Sequence, residues 1–135
     1  MKQLTLAADI KNLDQVLAFV HEQLKDSACS PKAKMQLDVA VEEIFVNIAH
    51  YAYPEGSGDV ILCCEQTEDP KGIRIRFKDR GIPYDPLAKE DPDITLSAED
   101  RAIGGLGIYM VKEMMDTVDY VYQDGQNIFS MEKHF

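Results

Sequence analysis

No apolar run in this 135-residue chain approaches the roughly 18 to 20 residues that a membrane-spanning helix requires, and none reads as a span. The opening stretch "MKQLTLAADIKNLDQ" puts Asp9 where a signal peptide would continue its apolar segment, so the expected location is the cytoplasm. Cysteine is scarce. Of the three, Cys63 and Cys64 are adjacent in a strand-like run and must point to opposite faces, and no C-x-x-C or H-x-x-x-H spacing is present. Free thiols in a reducing compartment are expected rather than a disulfide framework or a zinc site. Positive charge is also short, with 14 Lys and Arg against 24 Asp and Glu and a formal net charge of −10. That field repels nucleic acid, so an anionic ligand must be held by local devices: backbone amides, a helix N-terminus or a metal ion. Length leaves no room for a second core, and no repeat or low-complexity tract interrupts the chain. One domain over residues 1–135 is expected.

The patterns that are there divide the chain cleanly. "KQLTLAA" alternates as a strand with one buried face, and Leu13, Val16, Leu17, Val20 and Leu24 recur at helical spacing after a cap at Asp9 or Asn12. "SACSPKAK" stops that helix and starts another, with Ser30 as N-cap and Pro31 at its first position. "YPEGSGD" ends the second helix. "DVILCCEQT" and "GIRIRFKD" then form a hairpin around "EDPK", and "TVDYVYQDGQNIFSMEKHF" forms another that turns at Asp124-Gly125. Between the hairpins lies a segment rich in Pro, Asp and Gly, from Gly81 to Gly105, followed by the short amphipathic helix "LGIYMVKEMMD". The order β α α β β loop α β β predicts an α+β two-layer sandwich, with helices on one face of a mixed, mainly antiparallel sheet.

Three segments carry candidate chemistry. The second helix contains "VEEIFVNIAHYAYP". At about 100° per residue, Leu37, Val41, Ile44, Ile48 and Ala52 form its apolar stripe, while Glu43, Asn47 and His50 fall within one arc of roughly 60° beside it. Glu42 falls on the far side. Polar groups half-covered at a core edge cost desolvation energy unless something polar meets them. The second segment is Asp79-Arg80-Gly81 at a strand end, and the third is "RAIGGLG" opening a helix. Taken singly, each is weak, and a solvated edge pair, an ordinary turn and a flexible joint would account for them. The glycine segment lacks the Lys and Ser/Thr of a P-loop, and no strand immediately precedes it as a dinucleotide fingerprint requires.

In this order and spacing they closely resemble the histidine-kinase-like ATPase fold, and "DRGIPYDP" with "RAIGGLGIYMVKEMMDTVDY" resembles the anti-sigma-factor serine/threonine kinases within it. The resemblance runs from about Leu37 to Met131. It implies binding of ATP and Mg²⁺, with Asp79 accepting from the adenine amino group and Gly81 letting the base approach the backbone. It implies that Gly104, Gly105, Leu106 and Gly107 expose backbone amides to the triphosphate at a helix N-terminus. Arg101 would follow the phosphates when a lid at about 84–103 closes, or would stand as an ordinary surface ion pair. Asn47 matches the magnesium ligand, and Glu43 matches the carboxylate that orients or deprotonates the nucleophile. His50 and Tyr53 are expected in supporting roles.

Two departures stand out. Pro83 occupies the second glycine of the superfamily's D-x-G-x-G, and Ser130 is the candidate for a hydroxyl that many relatives place near the adenine. The implied partners are a sigma factor and an anti-sigma-factor antagonist domain that receives the phosphate on serine, without direct contact to nucleic acid or membrane. A homodimer is also implied. The competing reading is an ATP-binding module that sequesters a partner without phosphoryl transfer.

Overall fold

The computed structural model describes residues 1–88 and 106–135, with the backbone alone at Leu106. Its strands are β1 (Lys2–Ala7), β2 (Asp59–Thr67), β3 (Gly72–Asp79), β4 (Thr117–Gln123) and β5 (Gln126–His134), and its helices are α1 (Leu13–Leu24), α2 (Pro31–Tyr51) and α3 (Leu106–Met114). Short 3-10 turns sit at Ile10–Asn12 and Pro86–Ala88. The five strands form one sheet in the order β1-β2-β3-β5-β4. Each of these ladders is antiparallel, so the described sheet is antiparallel rather than mixed.

The local signals act as their chemistry dictates. The Asp9 side chain accepts from the Lys11 amide and caps the first 3-10 turn, while Asn12 donates its side-chain amide to the Ala7 carbonyl. Ser30 accepts from the Ala33 amide at 3.1 Å and Pro31 opens α2. Asp124 and Gly125 both have positive φ (54° and 77°), the conformation of a tight turn whose twist matches its strands.

The helices cover one face of the sheet. Val16 and Val20 of α1, Leu37, Val41 and Phe45 of α2 and Val111 of α3 meet Val60, Leu62, Ile75, Phe77 and Met131 in one buried cluster. Each such side chain contributes about 1.5 to 3 kcal/mol through burial. Helix α2 packs against both α1 and α3, so its buried face is wider than the predicted stripe and includes Ala40 and Phe45, both fully buried. The polar arc narrows correspondingly: Glu43 and Asn47 are half-buried, whereas His50 and Glu42 are exposed.

Register places Asp79 opposite Asn127 and Phe77 opposite Phe129, and these four residues face the helices. Ser130 pairs with Arg76 on β3 and Asp119 on β4, one step out of phase. Its side chain therefore lies on the sheet's other face, which removes it from the adenine role expected of it. Cys63 and Cys64 divide between the two faces; both are buried and free. Burial pushes the Cys64 thiol up to about 12, so it behaves as a small apolar side chain.

Candidate nucleotide site

Where the C-terminal end of β3 meets the last turns of α2, a cleft opens between the layers. Its walls are Ile44, Asn47, Ile48, Tyr51 and Ala52 of α2 and its cap, Phe77 and Asp79 of β3, Tyr120, Asn127 and Phe129 of the second hairpin, and Ile82, Tyr84 and Pro86. The cleft holds about 440 Å³ of empty space with its open mouth included. The Tyr51 and Tyr84 rings, 6.0 Å apart and tilted by 34°, are the aromatic pair on this wall, and Tyr51 is 52% exposed.

Asp79 is the buried carboxylate here, at 5% exposure. Its Oδ1 accepts from the Gly81 amide and from Asn127 Nδ2, each at 2.9 Å. Asp79 lines the cleft, and its Oδ2 takes no hydrogen bond from the described residues. The Ile82 amide donates to the Ala52 carbonyl at 2.9 Å, so the turn after β3 is pinned to the end of α2. Gly81 permits this close approach, because a Cβ there would sit 2.2 Å from the same carbonyl oxygen.

Asn127 is the residue that sequence reasoning missed. At 6% exposure, its Nδ2 donates to Asp79 Oδ1, to the Ile82 carbonyl at 2.8 Å and to the Gly81 carbonyl at 3.4 Å. Its Oδ1 accepts from the Tyr84 amide at 3.2 Å and, in a short bond, from the Tyr120 hydroxyl. Burial is the main influence raising the Tyr120 phenol above its ordinary range, with the Asp85 and Asp79 charges adding to it, so the hydroxyl stays protonated as a donor. The signal was available in "QNIFSMEKH", where Asn127 falls in phase with the apolar Phe129 and Met131.

Asn47 lines the same cleft, and its Nδ2 donates to Glu43 Oε1 at 3.3 Å. That bond turns the Asn47 carbonyl oxygen away from Glu43, which suits a hard cation. Glu43 itself lies one turn back, at the seam between α2 and α3. A Cβ on Gly107 would fall 2.1 Å from the Glu43 carboxyl carbon, so the carboxylate rests against the first turn of α3. Among the described residues no three His, Cys, Asp or Glu side chains converge as a metal cluster. A divalent cation here would rely on Asn47 and on oxygens of the nucleotide.

The remaining expected residues separate. Gly81 and Gly107 stand as described, and Leu106 opens α3. Arg101, Gly104 and Gly105 lie outside the described residues, as does the stretch 89–103 of the expected lid. Its first part, Tyr84–Ala88, packs onto the site through Pro86, which is buried, and through the Tyr84 amide. Tyr53 has a structural role. Its hydroxyl donates to the Asp59 carbonyl at 2.7 Å and accepts from the Arg80 amide at 2.9 Å, joining the start of β2 to the end of β3. His50 contacts Tyr51 edge-on at the exposed end of α2 and is not itself among the residues lining the cleft.

Comparisons with known proteins agree with this architecture. The serine/threonine-protein kinase BtrW of Bordetella bronchiseptica is 27% identical over 115 residues, covering 84% of this chain and 79% of that protein. The serine-protein kinase RsbW of Bacillus cereus is 27% identical over 96 residues, which span 68% of this chain and 59% of RsbW. Among solved structures, the RsbU and RsbW domains of Rv1364c from Mycobacterium tuberculosis share the fold with a TM-score of 0.64 at 15% identity, matching 99% of this chain and 32% of that one. No described helix is long and apolar enough to cross a membrane. Residues 6–133 match the histidine kinase-like ATPase domain, and the chain belongs to that family.

Proposed function

We propose that this protein is an ATP-dependent serine kinase of the anti-sigma type, which binds a sigma factor and phosphorylates an anti-sigma-factor antagonist domain. The observation that carries the reading is the Glu43–Asn47 pair, a carboxylate and an amide one turn apart on α2, held 3.3 Å from each other against the glycine start of α3. A solvated edge pair has no need of a glycine seat.

On this reading Asp79 Oδ2 accepts from the adenine amino group, and adenine, being neutral, enters an acidic protein without repulsion. The triphosphate lies toward the start of α3, where Gly107 and the preceding Gly104 and Gly105 supply backbone amides and Arg101 a charge. Asn47 Oδ1 would ligate Mg²⁺, which when bound neutralises triphosphate charge. Glu43 orients the attacking serine hydroxyl and accepts its proton as the oxygen bonds to the γ-phosphorus and the bond to ADP breaks.

The test is incubation with magnesium-ATP and candidate antagonist domains, followed by mass spectrometry for phosphoserine. The parent should transfer phosphate, Glu43→Gln should do so about 10²- to 10⁴-fold more slowly, and the exposed Glu42→Gln should match the parent. Equal activity of the two variants removes Glu43 from the role of base. A parent that binds ATP tightly yet transfers to no antagonist is better described as a sequestering module.

A further inference from the structure

We infer that Asn127, held by Tyr120, is the positioning residue that makes the site selective for a purine bearing a 6-amino group; this rests on the ATP reading above. A carboxylate accepts hydrogen bonds through either oxygen, and one free to rotate has a choice of orientations whose loss costs entropy when an amino group binds. Here the choice is removed. Asn127 Nδ2 and the Gly81 amide occupy Oδ1 of Asp79, a residue that lines the cleft, and Oδ2 takes no hydrogen bond from the described residues.

Asn127 is itself fixed at both ends of its carboxamide. Turning it over would set its oxygen against Asp79 Oδ1 and the Ile82 carbonyl, and its nitrogen against the Tyr84 amide. The Tyr120 hydroxyl secures the oxygen end. Because the same amide grips the Ile82 carbonyl and the Tyr84 N–H, it also fixes the turn that floors the cleft. Asn127 needs no contact with the nucleotide to do this; it acts through Asp79.

The experiment uses the full chain, with ATP and purine riboside triphosphate, which lacks only the 6-amino group, titrated calorimetrically at fixed magnesium. Thermal melting accompanies each variant. Asn127→Asp keeps the shape but sets an acceptor against Asp79, and Tyr120→Phe removes one hydroxyl from a half-buried ring. The parent should prefer ATP by about 10-fold or more, the scale of one polar contact at a buried acceptor. Asn127→Asp should reduce that preference to about twofold, and Tyr120→Phe should reduce it several-fold, because the loss of affinity falls more heavily on ATP than on the analogue lacking the amino group. With ATP varied in the phosphotransfer assay, Tyr120→Phe should raise KM for ATP and leave kcat near the parent value.

A merely structural role predicts equal weakening toward both nucleotides, and that result overturns the inference, as does unchanged preference in both variants. Should Asn127→Asp fail to fold, Tyr120→Phe alone decides. A parent that binds neither nucleotide overturns the ATP reading and this inference together. A parent that discriminates through Asp79, with both other variants unaffected, overturns this inference alone.

Discussion

Replacing Asp79 by Asn separates binding from folding in a way the geometry makes quantitative. Oδ1 accepts two hydrogen bonds at 2.9 Å, from the Gly81 amide and from Asn127 Nδ2. An amide oxygen in the same place can accept both. The fold then forfeits only the charge-assisted part of two bonds, about 1 kcal/mol or somewhat more in total. The melting temperature should fall by no more than about 8 °C for a domain of this size. The new NH₂ takes the place of Oδ2 and presents a donor to the adenine amino group, so binding loses about 1 to 3 kcal/mol, or roughly 5- to 150-fold in Kd. Asp79→Ala behaves differently, because it takes the side-chain acceptor from the Gly81 amide and one of the acceptors from Asn127 Nδ2, and it should damage folding as well as binding. Calorimetric titration of ATP at fixed magnesium, with melting curves for each variant, reads both quantities. A folded Asp79→Asn protein whose ATP affinity lies within twofold of the parent would refute the assignment of Oδ2 as the adenine acceptor.

Gly107→Ala should leave the melting temperature unchanged or slightly raised, since alanine favours the helix by up to about 1 kcal/mol. Its methyl group, 2.1 Å from the Glu43 carboxyl carbon, displaces a flexible side chain rather than backbone. Phosphotransfer should drop at least about 10-fold, with little further loss when Glu43→Gln is added; additive losses in a double-mutant cycle would count against the Glu43–Gly107 contact. Gly81→Ala is the opposite case, because its methyl group meets the Ala52 carbonyl at 2.2 Å and backbone cannot swing aside. It should cost about 1 to 3 kcal/mol of stability in urea denaturation, and an unchanged midpoint would show that the turn after β3 is not pinned to the end of α2.

How much of this was legible in the sequence depended on how local the signal was. Ser30-Pro31, Asp124-Gly125 and the alternation of "GIRIRFKD" act through their own backbones, and each predicted element stands where its signal put it. The Glu43–Asn47 pair was equally legible, because i and i+4 share a helix face whatever surrounds them. The width of the buried face of α2 was not, since a helical wheel cannot count neighbours: α1 and α3 flank it, and Phe45 lies buried outside the stripe. Asn127 was hidden for a related reason. Its partner Asp79 is 48 residues away, and only the β3–β5 register brings them together. Ser130 was chosen for its hydroxyl rather than its phase, and a one-residue phase error in a strand exchanges one face of the sheet for the other.

The position of Glu43 bears on how a chain of net charge −10 could accept a triphosphate at all. Without nucleotide, a carboxylate against the first turn of α3 is favourably placed, because the helix N-terminus carries partial positive charge. Phosphate oxygens arriving at the same turn would compete with Glu43 for that potential and repel it. Two unit charges 4 Å apart at a protein surface interact with about 4 kcal/mol, more than the helix terminus returns. A third party has to offset the repulsion, and Asn47, which already holds Glu43 Oε1 through its amide, has its carbonyl oxygen turned the other way. On the proposed reading, the Glu43–Asn47 hydrogen bond thus joins two requirements. It keeps the carboxylate aimed at the incoming hydroxyl, and it orients the oxygen that would ligate the cation which makes the triphosphate tolerable.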